Sequence, residues 1–78
     1  MQEPITSLRA GASAQVIALL GPGSSFQRKL RTMGIREGVR LKMVAVHPFA
    51  GPLVVEISGR QITLGRGIAR KIMVRVED

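Results

Sequence analysis

Ser24-Ser25-Phe26-Gln27-Arg28-Lys29-Leu30-Arg31-Thr32-Met33-Gly34-Ile35-Arg36-Glu37-Gly38 carries the strongest structural signal in the chain. Phe26, Leu30 and Met33 recur at helical spacing and form one apolar stripe. Ser24 and Gln27 stand three apart, the spacing of a capping box in which each side chain satisfies an orphan N–H of the first turn. Gly34 occupies the place where a left-handed residue ends a helix, and Ile35 can then fold back onto Leu30. The spacing therefore predicts one short helix from Ser24 to Met33. Isolated helices below about 12–15 residues are marginal in water, so this stripe must pack on another element.

On either side the chain reads as strands. Gln15–Leu20 is apolar and β-branched, and Gly21-Pro22-Gly23 ends it. Val39–Met43 alternates apolar and basic residues, as a half-exposed strand does. His47-Pro48-Phe49-Ala50-Gly51-Pro52 is predicted as a loop, because two prolines do not fit a central strand. Leu53–Ile57 and Gln61–Leu64 flank Ser58-Gly59-Arg60 and read as a hairpin. Gly65 to Lys71 fits one loose helical turn carrying Ile68 and Ala69. Ile72, Val74 and Val76 alternate in a closing strand. Five strands and one helix pack most economically as an all-β, five-stranded small barrel, since closure removes the edges that would otherwise aggregate.

Length and composition narrow the function. A chain of 78 residues has room for one core, so residues 1–78 are expected to form a single domain. There is no cysteine, hence no disulfide and no thiolate metal site. The N-terminus lacks the apolar core of a signal peptide, and the longest apolar run, Val16–Leu20, is far short of the roughly 20 residues that span a bilayer. A cytoplasmic protein without direct membrane insertion is the expectation. Lys and Arg number 12 against 5 Asp and Glu, a net charge of +7, which draws polyanions. Yet there are only two Phe and no Tyr or Trp, too few rings to stack bases. Nucleic acid is therefore the weaker reading of the charge.

The blocks, taken in order, resemble the FeoA family. Leu30-Arg31-Thr32-Met33-Gly34-Ile35-Arg36-Glu37-Gly38, followed by a Val-x-Leu strand, is similar to its L-x-x-[LM]-G-[IVLM]-x-x-G signature. Leu8-Arg9-Ala10-Gly11, Val55–Leu64 and Ala69–Val74 resemble its other blocks. Glu37 departs from the pattern, which often has Pro before the Gly, so a looser turn is expected there. The resemblance implies an SH3-like β-barrel, a non-enzymatic accessory protein of ferrous iron uptake, and a partner in the cytoplasmic portion of a FeoB-type transporter. The same barrel recurs as the C-terminal domain of repressors of the diphtheria-toxin-repressor type, so a regulatory domain of a metal-dependent repressor is an alternative. A nucleic-acid-binding SH3-like barrel of the translation-factor type is another.

Residue by residue, chemistry finds little to use. Gly21-Pro22-Gly23-Ser24-Ser25 lacks the Lys of a phosphate-binding loop. Ser24 and Ser25 have no base nearby in the sequence, and the acids show no catalytic spacing. His47 is the only histidine, and a transition-metal site wants three or four ligands. No catalytic, cofactor or metal residue is assigned. The expected contacts to a partner are Arg28 and Arg31 on the wet side of the helix, Met33 at its edge, and His47 and Phe49 in the Pro-rich loop. Phe49 has a competing assignment as a plug in one end of the barrel. The apolar composition leaves self-association into a homo-oligomer open.

Overall fold

In the computed structural model, which describes residues 2–21 and 23–77, the chain is one curled antiparallel sheet with a helix laid over it. The strands are β1 (Gln2–Pro4), β2 (Ser13–Leu19), β3 (Arg40–Val46), β4 (Leu53–Ile57), β5 (Arg60–Leu64) and β6 (Ile72–Glu77). Helix α1 spans Gly23–Thr32, and α2 is a single turn, Arg66–Ala69, where the loose turn was expected. The spatial order is β1-β6-β2-β3-β4-β5. The mostly β, SH3-like class holds, with two corrections.

The first correction is a sixth strand. β1 pairs antiparallel with β6, Gln2 opposite Arg75 and Pro4 opposite Met73. Its three residues are too few for a period, and Pro4 reads as a breaker; an edge strand tolerates it because one side needs no N–H. The second concerns closure. Among the described residues no ladder joins β1 to β5, so the sheet wraps the core and keeps two edges.

Two bulges make the wrapping work. In β2 the register shifts between Val16 and Ala18, and in β3 between Met43 and Ala45. An extra residue bends a strand and sharpens its twist. In β2 it also flips the facing: Ala14 and Val16 point inward, then Leu19 does, and Leu20 is left 60% exposed. Plain alternation from Ala14 would have buried Leu20 instead.

The helix ends as its sequence dictates. Gly34 has φ +88°, the Ile35 N–H donates to the Leu30 carbonyl at 2.8 Å, and the Gly34 N–H donates to that of Arg31 at 2.9 Å. These are the two bonds of a Schellman ending. Leu30 and Ile35 are both fully buried in the core, and sealing side chains of that size from water contributes about 1.5–3 kcal/mol each. The front end differs from expectation. Ser24 lies inside α1, and among the described residues no side-chain bond links it to Gln27. The start is set by packing: a Cβ on Gly21 would fall 1.8 Å from the Phe26 ring, so only glycine lets α1 lie this close. The Lys71 ammonium sits 5.5 Å from the centroid of that ring, within cation–π range. The Arg36–Val39 turn, expected to be looser at Glu37, is tied down: the Val39 N–H donates to the Arg36 carbonyl at 3.2 Å and the Gly38 N–H to that of Val16 in β2 at 2.8 Å.

Candidate protein-binding surface

β3 and β4 meet in a turn that the residues themselves disfavour. Phe49 and Ala50 have φ of 58° and 60°, and the Gly51 N–H donates to the Pro48 carbonyl at 3.1 Å. Two successive left-handed residues inside that bond make a type I′ turn, a geometry favoured by Asn and Gly. Each residue with a Cβ gives up about 1–2 kcal/mol there. The loop expected at His47–Pro52 is thus an ordered hairpin tip.

Arg66, the first residue of α2, holds that tip from beneath. Its Nε donates to the Gly51 carbonyl at 3.0 Å, and its Nη2 donates to the His47 carbonyl at 3.0 Å. One planar guanidinium therefore bridges the two sides of the loop, which a lysine ammonium has no fork to do. Of the 12 basic residues Arg66 alone is half-buried, and the others are exposed. What the brace presents is Phe49, 99% exposed. The plug assignment is overturned: the ring points into water and covers no core. Val46, Pro48 and Pro52 beside it are also exposed.

The other expected contacts lie elsewhere. Arg28 and Arg31 are exposed on α1, and Met33 is half-buried against the core at its end. Arg31 lines a cleft of about 370 Å³ together with Gly34, Arg36, Val39, Ile57, Ser58 and Arg60. That cleft adjoins the β4–β5 turn, whereas His47 and Phe49 precede the start of β4. At about 3.4 Å per residue, the length of β4 puts roughly 14 Å of strand between the two. The five residues thus divide into two places. Met43 of β3 is fully buried.

Residues 3–76 match the family model described as the FeoA domain. The chain belongs to the FeoA family. It is 34% identical over 59 residues to "Putative Fe(2+) transport protein A" of Methanocaldococcus jannaschii, covering 76% of this chain and 70% of that protein. Among solved structures it is similar to the crystal structure of an iron uptake regulatory protein (FeoA), with a TM-score of 0.90 and 30% identity, covering 99% of this chain and all of that one. It also superposes on a manganese-dependent transcriptional repressor solved with manganese, with a TM-score of 0.89 and 27% identity; 97% of this chain matches 37% of that one.

Within this FeoA-family fold, no three His, Cys, Asp or Glu side chains gather into a metal-sized group among the described residues. No helix among them is long and apolar enough to cross a membrane. Three positions escaped the sequence reading. Arg66 sits between Gly65 and Gly67 with no periodic signal to mark it. Arg60 reads from the sequence as a turn residue, whereas Ser58 and Gly59, with φ of 52° and 81°, complete a two-residue type I′ turn and leave Arg60 in β5 opposite Ile57. Arg36 was legible only as part of the family signature. Recognising Ser-Gly as a two-residue loop would have placed Arg60 correctly.

Proposed function

We propose that this FeoA-family protein is a non-enzymatic, cytoplasmic accessory of ferrous iron uptake that binds the cytoplasmic portion of a FeoB-type transporter. The observation that carries the reading is Phe49, a ring held in water on a braced, strained turn. Strain of about 1–3 kcal/mol per residue persists where surrounding structure enforces it, and it concentrates at binding and switch sites. A rigid aromatic anchor loses little entropy on docking, and such anchors dominate interface energetics. Family membership and the likeness to iron-transport proteins support a transporter as the partner. Arg28 and Arg31, with Met33 at the helix edge and His47 beside the anchor, contribute steering and rim contacts in this reading.

The test is capture of the purified cytoplasmic region of the transporter on immobilised protein, comparing the parent with Phe49→Ser and with the Arg28→Glu/Arg31→Glu pair. Phe49→Ser is expected to weaken binding at least tenfold, and the charge-reversed pair chiefly to slow association. If both variants bind like the parent, the docking surface is misassigned. The net charge of +7 favours one competing reading, a nucleic-acid-binding barrel. Affinity for duplex DNA or RNA that exceeds transporter binding and falls linearly on a log–log salt plot would establish it instead.

A further inference from the structure

Arg31, Arg36 and Arg60 come from three separate elements, namely α1, the turn after it and β5, and converge on one cleft. Among the described residues no acidic side chain lines it. Among the described residues the only ion pair is Arg40 with Glu77 at 3.2 Å, so no described carboxylate pairs with any of these three guanidiniums. Like charges brought together without a counter-charge repel, and an arriving anion removes that cost. The wall is mixed: Ile57 is buried, Val39 is half-buried, and Ser58 adds a hydroxyl at the lip. Arg60 is steadied from one side, its Nη2 lying 3.5 Å from the Met33 carbonyl at the end of α1.

We propose that this cleft is a binding site for a carboxylate-bearing peptide segment of a partner protein. Guanidinium forks match carboxylates bidentately, and three of them around a partly apolar wall suit an acidic side chain flanked by an aliphatic one. The volume of about 370 Å³ accommodates two or three side chains and no double helix. Scarcity of aromatic rings counts against a single strand, with only two Phe in the chain. The proposal rests on reading the chain as a protein-binding module and shares Arg31 with the docking surface above, but Arg36 and Arg60, on which it is tested, lie at the opposite end of β4 from Phe49. Either can therefore fail alone.

The experiment is an NMR titration of the whole chain with a blocked Glu-Glu-Leu-Glu-Glu peptide at about 0.15 M ionic strength, where the Debye length is about 8 Å and diffuse attraction is damped. Expected are saturable shifts confined to the amides of Gly34, Ser58 and Gly59 and the Nε–H signals of Arg31, Arg36 and Arg60. Arg36→Gln and Arg60→Gln should each lower affinity about tenfold, the loss of one charge-assisted bond. All three arginines are exposed, so the variants should keep the parent's melting temperature. An equal response to the Gln-Gln-Leu-Gln-Gln peptide would overturn the proposal. So would shifts spread evenly over Arg9, Arg40 and Arg75, or a site that inorganic phosphate saturates while the peptide does not. Peptide binding without transporter capture would remove only the transporter reading; capture that depends on Phe49 without peptide binding would remove only the cleft.

Discussion

The two ends of β4 carry the same backbone turn made from different residues. At the β4–β5 end, Ser58 and Gly59 take φ of 52° and 81°; at the β3–β4 end, Phe49 and Ala50 take 58° and 60°. Glycine enters the left-handed region without steric cost, whereas phenylalanine and alanine do not. The first turn is explained by folding alone, since a two-residue hairpin needs this geometry and Gly59 supplies one of its two positions freely, leaving Ser58 alone to bear the cost. The second holds an apolar ring in water in a disfavoured conformation and depends on Arg66 to stay there. Folding does not ask for that. In the proposed reading the difference separates a turn that serves the barrel from one that serves a partner, and the two ends would then recognise through different chemistry. One end offers side chains on the turn itself; the other offers arginines gathered around it.

The largest expected effect falls on the brace. Arg66→Ala removes two bonds from a charged, half-buried donor and should lower stability by about 2 kcal/mol in urea denaturation. Amide exchange should quicken at His47 and Gly51 and remain unchanged at Gly59. Arg66→Lys should not restore the parent, because one ammonium lacks the fork that spans both carbonyls. A stability change below about 0.5 kcal/mol with exchange at His47 unaltered would mean that the tip holds itself.

Next comes Gly59→Ala. A Cβ at Gly59 meets nothing within 4 Å, so its effect is purely conformational. At φ +81° it should cost about 1–2 kcal/mol. The mirror experiment is Ala50→Gly, which relieves strain at φ +60° and should gain about 1 kcal/mol. In a domain of this size that raises the melting temperature by roughly 4–8 °C. Opposite signs at the two ends are the signature of the contrast. If Ala50→Gly destabilises, the tip is not strained.

What could be read from the sequence follows the range of the interactions concerned. The Schellman ending at Gly34 and Ile35 is local, and its residues announce it. The same holds for the strand periods of β3, β4 and β6. β1 was invisible because a three-residue strand has no period, and it exists only because β6 offers an unpaired edge. The exposure of Leu20 is not legible because the bulge after Val16 is a response to sheet curvature, which no window of β2 encodes. The separation of Arg31 from Phe49 depends on which end of β4 each approaches, a matter of topology. Arg66 was missed for the same reason: its partners, His47 and Gly51, lie 19 and 15 residues away. Phe49 itself was legible as a candidate, but its exposure was not, since a ring between two prolines can turn inward or outward with equal local consistency.

The smallest expected change in stability is at Phe49, and it is the most informative. A side chain 99% exposed has no buried area to lose, so Phe49→Ser should shift stability by no more than about 0.5 kcal/mol. The backbone keeps its left-handed turn because the Gly51–Pro48 bond and the two Arg66 bonds do not involve the ring. Serine also tolerates this region no worse than phenylalanine, as Ser58 shows at φ 52°. A neutral result would mean that nothing inside the molecule requires a ring at this position, leaving an external contact as its use. A loss above about 1 kcal/mol would mean that the ring covers the barrel end in solution. The contrast between the two turns would then dissolve, because both would serve the fold.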